Sequence, residues 1–352
     1  MVLLSPGHGC KEDIMLRFID GFDHYTSDAA VAQKYDALSG TSYYEIFPTT
    51  GRREGGCLQL YSGGAYARKS FEDRNTWIAG FAFKMVELPT SGSVIYRLID
   101  STGETQFSVY LTTSGALEAR RGTSTILATS SLSLSAGVWY YIEVKATIHD
   151  TAGAAIVRVG EAEVINISGV DTKYTSTVGA RTVQIGGINV ALVYYDDYYI
   201  CDDQGTANNN FLGDVRIDTL YPTAPGSSTD FTPTGSANNW DNVNDTNPDG
   251  DTGYNSSAVV GDTDLFAFSD LPAVTGTIFG VQANLNARKD DAGTGGMKPV
   301  VYLASTEYEG AEKAMLDSYF DHTSIWELNP NTAVAWTQSD INGAEFGYKV
   351  AS

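Results

Sequence analysis

The chain has 352 residues, 42% apolar and 18% charged, with 22 Lys and Arg against 43 Asp and Glu. That size predicts two cores and that composition excludes a disordered chain. The formal charge of -21 repels phosphate backbones and anionic lipid, so neither nucleic acid nor membrane insertion is expected.

The 36 Gly and 21 Tyr, with many Ser and Thr, favour strands joined by tight turns, and the expected fold class is all-β. Residues 1–12 hold only Val2, Leu3 and Leu4 as an apolar stretch and read as an N-terminal arm. They lack the basic start and long apolar core of a signal peptide, and no run of 18 apolar residues occurs, so the chain is expected to fold in the cytoplasm. In 77–85 the odd positions Trp77, Ala79, Phe81, Phe83 and Met85 share one face of a predicted strand. Phe107, Val109 and Leu111, a turn at Thr113-Ser114-Gly115, then Leu117 and Ala119 make a predicted hairpin. In 138–148 the even positions Val138, Tyr140, Ile142, Val144, Ala146 and Ile148 face one way. The aromatic run 194–199 and the strand-like 215–220 complete a predicted sandwich over 13–221.

Residues 222–236 carry Pro222, Pro225 and Pro233 among Gly, Ser and Thr, and read as a linker. Beyond it, 264–268, 278–287, 299–304 and 346–350 read as strands of a second, smaller β-sandwich over 237–352, with 311–320 open to one helical turn. This second part is the more acidic, with 18 acidic against 5 basic side chains after residue 221.

The common catalytic signatures are missing. His8, His24, His149 and His322 form no H-E-x-x-H, and there is no G-x-S-x-G elbow and no Gly-Lys from which to build a P-loop. Cys10, Cys57 and Cys201 are odd in number and far apart, which suits neither a disulfide framework nor a zinc site. Paired carboxylates occur at Asp196-Asp197, Asp202-Asp203, Asp262 with Asp264, and Asp290-Asp291. Glycoside cleavage needs two carboxyl groups about 5 to 9 Å apart, whereas neighbours in a strand point to opposite faces, so solvated turn carboxylates are the default. The expectation is a protein without catalysis.

Two ligand patterns remain. Asp245, Asn247, Asp249 and Asp251, with Gly250 at the sixth position, match the first half of a calcium loop, but the twelfth position is Ser256 where a bidentate Glu is needed. A metal-free Asx-rich turn is the alternative. Tyr194, Tyr195, Tyr198 and Tyr199 are the densest aromatic cluster and candidates for stacking on sugar. Alternation places Tyr194 and Tyr198 on one face with Asp196, and Tyr195 and Tyr199 on the other with Asp197, so at most half can meet a ligand. Trp240, Trp326 and Trp336 read as packing anchors.

Phe18-Ile-Asp-Gly-Phe-Asp-His-Tyr25, Ala136-Gly-Val-Trp-Tyr-Tyr-Ile-Glu-Val144, Val183-Gln-Ile-Gly-Gly187 and Asp196-Asp-Tyr-Tyr-Ile-Cys-Asp202 occur in the order of a concanavalin-like or laminin-G-like jelly roll. They resemble the versions of that fold in tailed-bacteriophage virion proteins. Asn208-Asn-Asn-Phe-Leu-Gly-Asp-Val-Arg-Ile-Asp-Thr-Leu220 resembles the exit of such domains into a second module, and Asn239-Trp-Asp-Asn-Val243 and Gly261-Asp-Thr-Asp-Leu265 resemble that module. The resemblance implies a non-enzymatic virion protein: a tail-fibre, spike or tail-tip subunit that assembles with other virion proteins as a homo-oligomer and attaches to host-surface glycan. Capsid decoration or a head fibre is the alternative, and a polysaccharide depolymerase working through an acidic pair is the third. No family ligand residue maps onto a position here.

Overall fold

A computed structural model describes residues 15–40, 42–189 and 192–352. The expected arm 1–12, with Cys10 and His8, lies outside the described residues. The architecture is all-β, in antiparallel sheets packed as sandwiches.

In the first part an eight-stranded sheet faces a seven-stranded one. The spine of the first sheet is the pair Thr76–Met85 and Leu192–Asp202, flanked by Tyr140–Thr147 and Gly153–Val159 on one side and by Cys57–Tyr61 and Tyr44–Phe47 on the other. Leu192–Asp202 is long enough to pair twice along one edge, with Cys57–Tyr61 through residues 192–195 and with Leu16–Asp20 through 198–201. The expected alternation holds: Trp77, Ala79, Phe81, Phe83 and Met85, together with Ile142, Val144, Ala146 and Ile148, point between the sheets and are buried. Burying each of the large side chains contributes about 1.5–3 kcal/mol. Trp77 adds a hydrogen bond from Nε1 to the Ala180 carbonyl (2.8 Å). Val138 precedes the strand and is exposed.

The second part is built on a six-stranded sheet in which Thr263–Phe268, Glu345–Val350 and Gly296–Leu303 are central. Its inner face presents Phe266, Phe346 and Tyr348 toward a two-stranded ladder, Val281–Ala287 with Phe320–Trp326. Trp336 anchors this core, donating from Nε1 to the Trp326 carbonyl (2.9 Å).

Three sequence expectations are corrected. The 222–236 linker is not coil throughout: Pro222–Thr229 is a strand on Thr263–Phe268, and Thr232–Thr234 pairs with Tyr254–Ser256. Proline lacks a donor for the ladder and is tolerated on an edge strand, which Pro222–Thr229 is. Residues 215–220 form no strand, because the exit segment donates to side chains instead of to a neighbouring strand. Residues 311–320 contain the two-residue strand Lys313–Ala314 and no helix. Two short helices, Asp28–Lys34 and Gln338–Asn342, were not anticipated, the second closed by a capping box between Thr337 and Asp340. Among the described residues no helix is long and apolar enough to cross a membrane.

The two parts meet at a seam of side-chain to backbone hydrogen bonds. Glu327 accepts from the amides of Met15 (3.0 Å) and Leu16 (2.7 Å), and from the side-chain amide of Asn208 (2.9 Å). Gln282 accepts from the Ile19 amide (3.0 Å) and donates to its carbonyl (2.9 Å), extending the first sheet by one side chain. Beneath them Ile325 packs with Leu16, Ile78, Ala82, Tyr141, Tyr199 and Cys201. Glu327→Ala leaves three donors without their acceptor, and calorimetry should show a loss of about 2–4 kcal/mol. A loss under ~0.5 kcal/mol would mean that water replaces the carboxylate fully.

Candidate functional site on one sheet face

The strand Leu192–Asp202 carries the tyrosine cluster, and its geometry departs from simple alternation. Pairing with Thr76–Met85 shifts register between Asp196 and Tyr199, and Asp197 has φ 47°, a β-bulge of one extra residue. The bulge resets the phase. Tyr195 and Tyr198 both turn into the core between the sheets, Tyr195 donating to the carbonyls of Gly186 (2.7 Å) and Ile95 (3.1 Å). Tyr199 faces the seam, where its hydroxyl donates to Glu143 (2.6 Å) and accepts from the Leu212 amide (3.2 Å). The expectation that Tyr194 and Tyr198 share a face is thereby corrected. With Tyr195, Tyr198 and Tyr199 each at most 1% exposed, only Tyr194 of the four can meet a ligand.

Tyr194 belongs to a row that crosses the outer face of the first sheet. Glu45 pairs with Gln59, Gln59 with Tyr194, and Tyr194 with Lys84. Trp139, just before the strand that begins opposite Phe83, closes the row. The Lys84 ammonium lies over the rings of Trp139 (4.7 Å) and Tyr194 (4.8 Å), and Phe47 meets Tyr194 edge-on (6.0 Å). Tyr61 donates from its hydroxyl to Glu45. Gln59 is buried and aligns the row from beneath, which leaves half-buried aromatic rings with one cation and one anion, surface chemistry that sugar faces and hydroxyls match. Sequence reasoning passed over Lys84, Trp139, Gln59, Glu45 and Phe47. The signal was there in part: Lys84 and Trp139 are the outward phase of strands whose inward phase was assigned.

Two residues along from Tyr194, on the same face, begins a carboxylate pocket of about 120 Å³ lined by Asp23, Asp196, Asp197 and Asp218 with Arg53 and Arg216. Burial, then the neighbouring Asp197, pushes Asp196 up to about 8. Burial lifts Asp197 to about 6 against the pull of the Ile217 amide and Arg52, and lifts Asp23 to about 6. Asp196 is thus raised further than Asp197, and the expectation of solvated turn carboxylates at Asp196-Asp197 is corrected, because both are buried. Both are only 4% exposed, with Arg52 3.6 Å from Asp197 and its amide on Asp196 (2.6 Å). Asp197 holds the exit segment, whose Ile217 amide donates to it (2.8 Å), while Asp196 also accepts from the Asp197 amide (2.7 Å). Next to this pocket a groove of about 1510 Å³ runs between the six-stranded sheet and the Val281–Ala287 ladder.

The calcium pattern does not gather a ligand set. Asp251 is bound to Arg288 (2.9 Å) and to the Tyr319 hydroxyl (2.9 Å), Asn247 accepts from Ser27 (2.7 Å), and Asp249 accepts from the Gly253 amide (3.1 Å). Asp245 is exposed. Among the described residues no group of three or more His, Cys, Asp or Glu side chains is placed to hold a metal. Asp249 and Asp251 thus serve protein partners.

No family model matches the sequence, and no curated protein matches it. Among solved structures, the chain is similar to the alginate lyase Aly36B (10% identity, 52% of this chain and 96% of the other, TM-score 0.40). It is similar to the same extent to the cellulose induced protein Cip1 (11% identity, 52% and 96%, TM-score 0.40). A Trypanosoma rangeli sialidase in complex with sialic acid matches over 45% of this chain and 27% of its own length (14% identity, TM-score 0.34). Because a lyase and a sialidase stand among the matches, the expectation of a protein without catalysis is corrected and does not enter the reading below. At these scores no reaction carries over to this chain.

The pocket sets a pH dependence. Asp23 binds its proton more tightly folded, at about 6, than its ordinary 3.8. The resulting stability is whole below about pH 4 and is lost as pH rises through about 6. Asp23→Asn keeps the acceptor for the Gly56 amide (2.7 Å) and removes the titration. After allowance for solvent screening, wild type should lose about 1–2 kcal/mol relative to D23N between pH 4 and 8, a melting-point difference of a few degrees. A difference that stays constant across that range would refute the assignment.

Proposed function

We propose that this chain is a structural protein of a tailed-bacteriophage virion, a fibre, spike or tail-tip subunit present in several copies, and that the outer face of its jelly roll contacts host-surface glycan. The observation that carries the glycan half is the row Glu45, Tyr194, Lys84 and Trp139, aligned across the buried Gln59 and held on four paired strands and the residue before a fifth. A site on strands keeps its geometry without the ordering cost of a loop. Such a shallow surface makes each contact weak, and several copies on a symmetric particle turn weak contacts into avidity.

The virion half rests on the sequence runs, and their placement supports it. The 18–25 run supplies the strand and turn at the seam, 196–202 supplies the bulge, and 208–220 is the strap pinned to Glu327, Glu143 and Asp197. The runs therefore specify how one module is fixed to the next, as a protein built into a larger assembly requires.

Titrating purified chain with host surface polysaccharide should show Trp139→Ala and Tyr194→Ala each weakening binding about tenfold, or ~1.4 kcal/mol, while the core variant Tyr195→Phe stays within about twofold of wild type. Cryo-microscopy of the particle should find the chain on the exterior of the tail in symmetric copies. Density on the head shell would assign it to capsid decoration, and absence from the particle would overturn the virion reading.

A further inference from the structure

Most cations of the first part are spent on carboxylates. Arg17 and Arg74 share Glu72 and Asp202, Arg120 meets Glu118, Arg121 meets Asp171, and Arg158 meets Glu163. Lys84 differs: among the described residues its ammonium has ring faces as neighbours and no carboxylate. The carboxylate in its own row, Glu45, sits three strands away. No ion pair joins Glu45 to Lys84 among the described residues, and the Lys84 ammonium leans instead onto the Tyr194 ring (4.8 Å). Glu45 is also engaged by the Tyr61 hydroxyl. In the adjoining row Asp196 is buried, which pushes its carboxyl up to about 8, and it is occupied by the Arg52 and Asp197 amides. On a chain of charge -21, the face therefore keeps one cation that contacts ring faces and no carboxylate.

We propose that Lys84 makes this face selective for acidic polysaccharide, a glycan whose sugars carry a ring-borne carboxylate such as a uronic acid; this rests on the glycan reading above. The sugar ring packs against the ring carbons of Trp139 and Tyr194, and its carboxylate meets the Lys84 ammonium in a charge-assisted hydrogen bond. The aromatic pair holds the ammonium at a fixed place through cation–π contact, so little side-chain freedom remains to be lost on binding. Glu45, at the other end of the row, repels a second carboxylate placed there, which sets the direction in which a chain lies across the strands.

Two probes with the same sugar and different charge isolate this role: polygalacturonate and its fully methyl-esterified form. Wild-type chain should bind the acid form at least tenfold more tightly than the ester, with the preference shrinking as NaCl is raised. Lys84→Gln should bring the two affinities within about twofold, Lys84→Arg should keep most of the preference, and both should melt close to wild type. Equal binding of acid and ester by the wild type overturns the inference whatever the variants do, and leaves the glycan reading standing. Binding to neither probe, with binding to a neutral host polysaccharide, also overturns the inference alone. Binding to no polysaccharide overturns the glycan reading and the inference with it. If Lys84→Gln melts far below wild type, the comparison of acid with ester on the wild-type chain still decides.

Discussion

One extra residue in the strand Leu192–Asp202 organises this molecule. Without the bulge after Asp196, strict alternation sends Tyr198 outward and Tyr199 into the core; with it, two tyrosines fill the space between the sheets and a third reaches the seam. Upstream of the bulge the strand serves the surface row through Tyr194 and Lys84. Downstream it serves the junction, through Asp197 with the exit segment and through Tyr199 with Glu143 and Leu212. The outer-face aromatic row and the module junction thus meet on one strand, separated by a residue with positive φ.

The junction is electrostatically expensive. Asp23, Asp196 and Asp197 sit where water is scarce, and their ionised forms repel one another. Arg52 offsets part of that cost, lying over the Tyr141 ring (5.0 Å) while it faces Asp197 and binds Asp214. A buried polar network of this kind adds little net stability compared with apolar packing, but it accepts one arrangement of partners and rejects others. That selectivity suits a seam in which Ile325 supplies a small apolar contact and hydrogen bonds set the register.

Period-two patterning made the strands around Trp77–Met85 positions and Tyr140–Thr147 readable, because both are flanked by sheets that bury one face. The same patterning misplaced Tyr198, since a bulge leaves no mark in the order of apolar and polar residues. Prolines made 222–236 read as coil, yet an edge strand needs donors on one side only and can carry them. The surface row was hidden for a different reason. Its members come from five separate stretches, and only the pairing register, which no single stretch contains, sets Glu45, Gln59, Tyr194 and Lys84 in line. In the half calcium loop Asp251 meets Arg288 and Tyr319, and Asp249 meets the Gly253 amide, partners that the residue spacing alone does not reveal.

The prolines of Pro222–Thr229 have a consequence for crowding. An open sheet edge is a template on which a second copy can grow the sheet, and many copies held close together make that reaction fast. Pro222 and Pro225 each lack an amide donor, and register breaks between Pro222 and Ala224 and between Pro225 and Thr229 keep the strand from presenting a long, regular rim. The feature that disguised the segment as a linker is therefore also one that makes this edge a poor template for a second strand.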